Sequence, residues 1–229
     1  MARAGPAVPK PLVPVCGIPL LVIHLRRLLA AGYEEIHLAL RHKAGEIIRF
    51  LREESGLPGE KLFFHVEEEP LGTAGALAWF RSSPCPLLAL NGDLLSAIDY
   101  GAMEAFHEER GADLTIAHHA ERRRLKLGEV ILGTDDRILG YREKPLKEYR
   151  ISSGTYLVGG KVLELLEKEE WTPFPEVVQR SLQAGLKVLG FAHSSPWIDV
   201  NDGRDLARAE EMLREDPVAF GLEPREVKA

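Results

Sequence analysis

The sequence predicts an α/β protein built on a mostly parallel mixed sheet with helices on both faces. Three observations carry that expectation. Short, largely apolar runs of strand length alternate with segments whose apolar residues recur at helical spacing. Ile36 to Leu40 and Pro86 to Leu90 are the continuous kind of run that a strand buried on both faces requires. The second run stops at Asn91-Gly92-Asp93, as a strand does when it delivers a polar turn to the carboxyl edge of a sheet.

The elements follow in order. Residues 1–17 hold Pro6, Pro9, Pro11 and Pro14 and are expected as an extended loop, since proline lacks the donor that a central strand supplies. Pro19 suits the first turn of a helix carrying Leu20, Leu21, Ile23, Leu25, Leu28 and Leu29, and Gly32 fits just past its end. A strand at 36–40 leads to a helix over 44–54 with Ile47, Ile48 and Leu51 on one side. Another strand at 62–66, a helix at 73–81 and the strand at 86–90 follow. Helix 100–110 then precedes a strand at 113–117. The later half changes character. Strands at 128–133, 137–142 and 154–158 include two with no helix between them, the mark of an antiparallel excursion. Helices at 160–169 and 175–184, a strand at 187–192 and a helix at 203–214 complete the chain. No repeat or linker interrupts it, so residues 1–229 are expected to form a single domain.

Composition narrows the classes of function. With 45% hydrophobic and 28% charged residues the chain has the makeup of a folded globular protein. A net charge of −6, with no basic run beyond Arg122-Arg123-Arg124, argues against nucleic acid, and that triplet is expected as a solvated loop. No apolar stretch reaches the roughly 20 residues of a membrane span. Cys16 and Cys85 have no metal-binding spacing, which suits a reducing cytoplasm. Asn occurs only at 91 and 201 and Gln only at 179 and 183, a depletion of labile amides that suggests a heat-adapted organism.

Ligands of open α/β sheets bind beyond the carboxyl ends of the strands, so polar residues there are the first candidates. Asp93 closes one apolar run and Asp199 closes Trp197-Ile198-Asp199, and two such carboxylates can share a magnesium ion with phosphates and water. Lys10 and Lys144 each precede a proline, which is expected to hold them extended and aimed. Pro70-Leu71-Gly72-Thr73-Ala74-Gly75 is a turn opening a helix, where glycine lets a ligand approach the backbone. Each of these has an ordinary structural explanation when taken alone. The chain has no Gly-x-Gly-x-x-Gly fingerprint or Gly-Lys-Ser/Thr phosphate loop, and His118-His119 on a strand cannot both face one metal.

Together the segments form a known series: Pro9-Lys10-Pro11-Leu12-Val13-Pro14-Val15, Glu69-Pro70-Leu71-Gly72-Thr73-Ala74, Asn91-Gly92-Asp93, Glu143-Lys144-Pro145, Ser153-Gly154-Thr155-Tyr156 and Trp197-Ile198-Asp199. In this order they resemble the sugar-1-phosphate nucleotidyltransferases, the family of mannose-1-phosphate guanylyltransferase and glucose-1-phosphate thymidylyltransferase. The resemblance implies a Rossmann-like nucleotide-diphospho-sugar transferase fold. It implies a reaction in which a nucleoside triphosphate and a sugar 1-phosphate give a nucleotide sugar and pyrophosphate, with mannose 1-phosphate and GTP preferred. By the same resemblance Lys10 contacts the nucleotide phosphates, Lys144 grips the sugar phosphate, and Asp93 and Asp199 hold Mg2+. Gly72 lies beside the nucleotide, and Glu143 and Gly154 hold the sugar hydroxyls. Homo-oligomerisation is left open.

The departures from the family pattern bear on activity. Relatives carry an apolar strand and a loop like Gly-Gly-x-Gly-Thr-Arg-Leu before the Pro-Lys-Pro segment, whereas here only residues 1–8 precede Pro9. That strand belongs in the middle of the sheet, so a gap is expected beside the 19–31 helix, with weak triphosphate binding and little turnover. The alternative function is therefore a non-catalytic, nucleotide-sugar-binding or regulatory relative.

Overall fold

The structure is a computed structural model and describes residues 8–227. Met1–Ala7, part of the stretch expected as a loop, lie outside the described residues. The rest of that stretch corrects the expectation. Lys10–Leu12 form a single 3-10 turn, and β1 (Pro14–Val15) pairs antiparallel with β2 (Ile18–Pro19). The turn between them is Cys16-Gly17, both at positive φ, as a tight two-residue hairpin requires. The hairpin contains prolines because strands this short need few ladder donors.

Helix α1 (Leu20–Ala30) starts directly after Pro19 and is apolar on two sides. Leu21, Leu25 and Leu28 join one core with β3 (Ile36–Leu40), helix α2 (Ala44–Glu53) and β4 (Leu62–Val66). Leu20 and Ile23 face a second core. The chain continues through a 3-10 helix at Gly75–Phe80, β5 (Leu87–Leu90), β6 (Leu94–Ser96) and α3 (Tyr100–Glu109). Then come β7 (Leu114–Arg124), β8 (Glu129–Leu132), β9 (Ile138–Arg142) and β10 (Leu146–Val158). Helices α4 (Gly160–Leu163) and α5 (Phe174–Gln183), strands β11 (Val188–Ala192) and β12 (Trp197–Asp199), and α6 (Gly203–Glu215) follow. No helix among the described residues is long and apolar enough to cross a membrane.

The main sheet has the order β11-β7-β10-β5. β10 is antiparallel to both neighbours and β11 is parallel to β7, so β5, β7 and β11 run the same way and end at one edge. β3 and β4 form a separate parallel pair. Leu38 and Leu40 of β3 nevertheless share a core with Leu88 and Leu90 of β5. Among the described residues no strand bonds to the edge of β5 away from β10.

Three further expectations need correction. Arg122, Arg123 and Arg124 are exposed but lie in β7, paired with Glu148, Lys147 and Leu146 of β10. An exposed two-stranded ribbon needs no buried face, so its polar residues gave no strand signal. Residues 75–80 are 3-10 rather than α-helical, and the helix at 160 ends by 163, well before Glu169 turns at positive φ.

Strand β6 is short and held by α1 from beneath. The buried His24 Nε2 donates to Leu94 O, and Arg27 donates to Ser96 O and, at 3.0 Å, to the Tyr100 hydroxyl. Burial lowers the His24 pKa to about 4. The unfolded chain therefore takes up a proton that the native state refuses between about pH 6.5 and 4. Stability from this group is full above that window and is lost as pH falls through it. His24→Gln, which keeps a donor but cannot titrate, is expected to retain more of its neutral-pH stability at pH 4.5 than wild type. Urea unfolding at the two pH values checks this, and parallel acid losses in both proteins would refute it.

Candidate active site

The turn at Lys10–Leu12 carries Lys10 to the carboxyl edge of the sheet. Its ammonium donates to Asp93 Oδ2 at 2.7 Å and to Asn201 Oδ1 at 2.9 Å. The Lys10 and Asp93 side chains are 43% and 37% exposed, so the pair is open to a ligand and stabilises the fold little. Asp93 follows β5 through Asn91-Gly92 and leads into β6, where Leu94 pairs with Asp199 at the end of β12. Val200 N donates to Asp93 O at 3.0 Å and closes this frame. Leu95, Ile198 and Val200 pack beneath it on Ala209 and Leu213 of α6. Asp199 Oδ1 is buried with no hydrogen-bond partner among the described residues.

Asn201 is positioned by the start of α6. The Asp202 carboxylate accepts from Arg204 N and Asp205 N, while Asp205 Oδ2 accepts from Asn201 N at 3.1 Å and from Asp202 N at 3.2 Å. Gly154 joins the same frame from β10. It sits at φ +65°, its carbonyl accepts from Asn91 N at 2.9 Å, and a Cβ there would meet Leu94 Cδ1 at 2.8 Å and the Asn91 side-chain nitrogen at 2.9 Å. Glycine is what lets β10 approach the Asn91–Asp93 turn this closely.

The other candidates lie elsewhere. Gly72, at φ +78°, has its open side against the chain itself: a Cβ would meet Thr172 O at 2.7 Å. Glu143 and Lys144 connect β9 to β10 on an exposed arm, 3.8 Å apart, with the Tyr141 hydroxyl donating to Glu143 at 3.2 Å. Neither lysine is held extended by its proline, as the sequence led us to expect. Lys10 opens the 3-10 turn, and Lys144 has φ +44°, because the chain must reverse there to return Pro145 O to Leu125 N. The structure thus gathers Lys10, Asp93, Asp199 and Gly154, and leaves Gly72, Glu143 and Lys144 in separate surroundings.

Sequence reasoning missed Asn201, whose only signal was its place two residues after Asp199. Ser153 entered only as part of a motif, and its hydroxyl contacts with His119 and His193 were not foreseen. Separations of 34 and 40 residues give no local pattern for that contact.

A profile of the nucleotidyl transferase family matches residues 6–216. The catalytic subunit beta of mannose-1-phosphate guanylyltransferase from Drosophila pseudoobscura pseudoobscura is 31% identical over 207 residues, covering 86% of this chain and 54% of that protein. Mannose-1-phosphate guanyltransferase 2 from Candida glabrata is 30% identical over 212 residues, covering 87% and 57%. The chain spans about half the length of the curated relatives it matches. The crystal structure of HddC from Yersinia pseudotuberculosis complexed with GMP-PN has a TM-score of 0.70 at 23% identity over 93% of both chains, a likeness that shows the fold. Every motif in the series that ends at Asp199 falls inside the matched range, and the chain belongs to the nucleotidyl transferase family, that of the sugar-1-phosphate nucleotidyltransferases.

Proposed function

We propose that the chain joins a nucleoside triphosphate to a sugar 1-phosphate and releases pyrophosphate, with GTP and mannose 1-phosphate as the preferred pair. The observation that carries this reading is the convergence of Lys10, Asp93 and Asp199 at one edge of the sheet. The names of the two guanylyltransferase relatives and the GMP-PN complex of HddC favour guanosine and mannose. In this reading residues 1–229 act as one nucleotidyltransferase domain in the cytoplasm. Self-association is part of the proposal: Val130, Leu132, Ile138 and Tyr141, all exposed and cross-strand paired, give β8–β9 one apolar face.

In the reaction an oxygen of the sugar phosphate attacks the α-phosphorus in line. A P–O bond forms there, the bond to the β-phosphate oxygen breaks, and the electron pair leaves on pyrophosphate. Lys10 places a positive charge against the phosphates, and Asn201 and Asp93 keep its ammonium from swinging away. Asp93 and Asp199 fit a divalent cation, Mg2+ in our reading. Asp199 Oδ1 is a buried acceptor with no hydrogen-bond partner among the described residues, which suits a cation ligand, and Mg2+ takes one or two carboxylates and fills its shell with water and phosphate oxygens. When bound, the ion neutralises charge on the reacting phosphates. Gly154 and Glu143 serve the sugar hydroxyls, Lys144 the sugar phosphate, and the Gly72 turn the nucleotide.

The two lysines are expected to separate kinetically. Lys10→Ala is expected to lower kcat about a hundredfold, and Lys144→Ala to raise the sugar-phosphate KM about tenfold with kcat little changed. Steady-state kinetics with each substrate varied checks this, and equal effects of both changes on every constant would contradict it.

The experiment for the reading itself is a matrix of nucleoside triphosphates against sugar 1-phosphates, followed by pyrophosphate release. Highest turnover for GTP with mannose 1-phosphate supports it, and a different best pair overturns the preference. A second reading, a nucleotide-sugar-binding or regulatory relative, is favoured by the edge of β5 beside the Asn91–Asp93 turn, to which no strand bonds among the described residues. Binding of a nucleotide sugar without turnover of any pair would establish that reading instead.

A further inference from the structure

The Gly72 turn is shaped by a distant part of the chain, the residues that lead into α5. Thr172 N donates to Leu71 O at 2.9 Å, and Ala74 N donates to Thr172 O at 3.0 Å. Phe174 N, which opens α5 between Pro173 and Pro175, donates to Thr73 Oγ1 at 2.8 Å. Glycine permits the close fit. A Cβ on Gly72 would meet Thr172 O at 2.7 Å, and one on Gly75 would meet Glu170 O at 2.6 Å. The backbone of residues 170–174 is thus the template against which residues 71–75 lie. Leu71 also borders a cavity of about 420 Å3 shared with Glu67, Glu68, Trp79 and Glu169, a volume in the range of small-ligand sites.

The template has no ladder or helix of its own to hold it. Residues 166–173 belong to no helix or strand, and Glu169 sits at φ +60°. A residue other than glycine keeps that conformation only where its surroundings fix it. The fixing contact comes from Arg180 of α5. Its Nη1 and Nη2 each donate to one oxygen of the Glu170 carboxylate at 2.9 Å, and Nη1 also donates to Leu165 O at 3.4 Å. A guanidinium fork on a carboxylate sets distance and plane together, which a single contact between exposed charges does not. Glu176, four residues earlier on α5, also accepts from Arg180 and keeps the guanidinium over the loop. The contacts close a ring. Thr73 caps the start of α5, Arg180 reaches from α5 to Glu170, and Thr172 returns to Leu71 and Ala74.

We propose that Arg180 and Glu170 are positioning residues for nucleotide binding: their pair sets the 170–174 template and, through it, the place of the Gly72 turn. This rests on the nucleotidyl-transfer reading above, in which that turn lies beside the nucleotide. Neither residue touches the substrate. Breaking the pair lets residues 71–75 leave the binding-competent arrangement, and the apparent affinity falls by the fraction of molecules that have left it.

The test combines amide hydrogen exchange of the full chain with calorimetric titration of α,β-methylene-GTP. Glu170→Gln keeps the size of the side chain and removes its charge, whereas Arg180→Lys keeps the charge and removes the fork. In each variant exchange at the Thr172 and Ala74 amides is expected to quicken about tenfold. The amides of β3 and β10 are expected to keep their rates, which reports an intact fold. Affinity for the nucleotide analogue is expected to fall about fivefold in each variant and no further in the double variant, because both changes break one contact. Glu176→Gln, which leaves the fork on Glu170 in place, is expected to behave as wild type. Unchanged exchange at Thr172 and Ala74 in both variants would overturn the proposal. Faster exchange with unchanged nucleotide affinity would show that the pair only supports the fold, and would overturn its positioning role. A wild type that binds no nucleotide analogue overturns the nucleotidyl-transfer reading and the positioning role with it.

Discussion

Asp93→Asn is expected to lower pyrophosphate release by about a thousandfold while leaving thermal stability nearly unchanged. Asp93 is the carboxylate that meets Lys10 at 2.7 Å, and it adjoins Asp199 through the β6–β12 pairing. The amide keeps its size and still accepts from Lys10, so packing is preserved. What disappears is a full negative charge at the point where the ammonium and the cation are proposed to meet the phosphates. Because the ion pair is more than a third exposed, its loss costs the fold little. Steady-state rates and thermal melts of both proteins decide the matter. A variant within a few-fold of an active wild type would remove Asp93 from the mechanism.

Gly72→Ala is expected to lower stability by about 2–4 kcal/mol, a fall in Tm of roughly 5–12 °C for a chain of this size. Gly72 adopts φ +78°, and the added Cβ would come within 2.7 Å of Thr172 O and 2.9 Å of Thr172 C. Thr172 cannot easily retreat, since its N–H donates to Leu71 O at 2.9 Å and its carbonyl accepts from Ala74 N at 3.0 Å. Gly32→Ala is the control. Gly32 also has positive φ, at +92°, but a Cβ added there would meet no atom within 4 Å, so only the backbone strain of about 1 kcal/mol is expected. Equal melting temperatures for the two variants would show that the contact with Thr172 is not what requires glycine at 72.

The regular elements were legible where burial imposes a period. The strand over 36–40 and the helix with Ile47 and Leu51 buried on one side form where they were expected, although β3 buries only Ile36, Leu38 and Leu40 and exposes His37 and Ala39, so it is covered on one face and not on both. Legibility failed where burial is absent. The outer halves of β7 and β10 are exposed ribbon, and Arg122 to Arg124 carry no period that distinguishes strand from loop. β6 is only three residues long, and its place depends on His24 and Arg27 of a distant helix.

The candidate site divides the same way. Lys10, Asp93 and Asp199 stood out only through the order of motifs, because each alone is an ordinary polar residue at a strand end or turn. That Lys10 also meets Asn201 depends on how α6 is capped, which spacing along the chain does not reveal. The His119–Ser153–His193 contact depends on the β11-β7-β10 order and on the bulge between Ser152 and Tyr156, both products of tertiary pairing.

The central claim is that the sugar phosphate's own oxygen becomes bonded to the α-phosphorus of the nucleotide. Its most direct test uses mannose 1-phosphate labelled with 18O on the phosphate, incubated with GTP and the chain in excess over substrate, so that slow turnover still registers. Mass spectrometry of the products follows the label. The account predicts that all of it appears in the nucleotide sugar, that pyrophosphate is unlabelled, and that the guanosine α-phosphate is retained in the same product. Label in the released pyrophosphate, or free GMP in place of a nucleotide sugar, would contradict it.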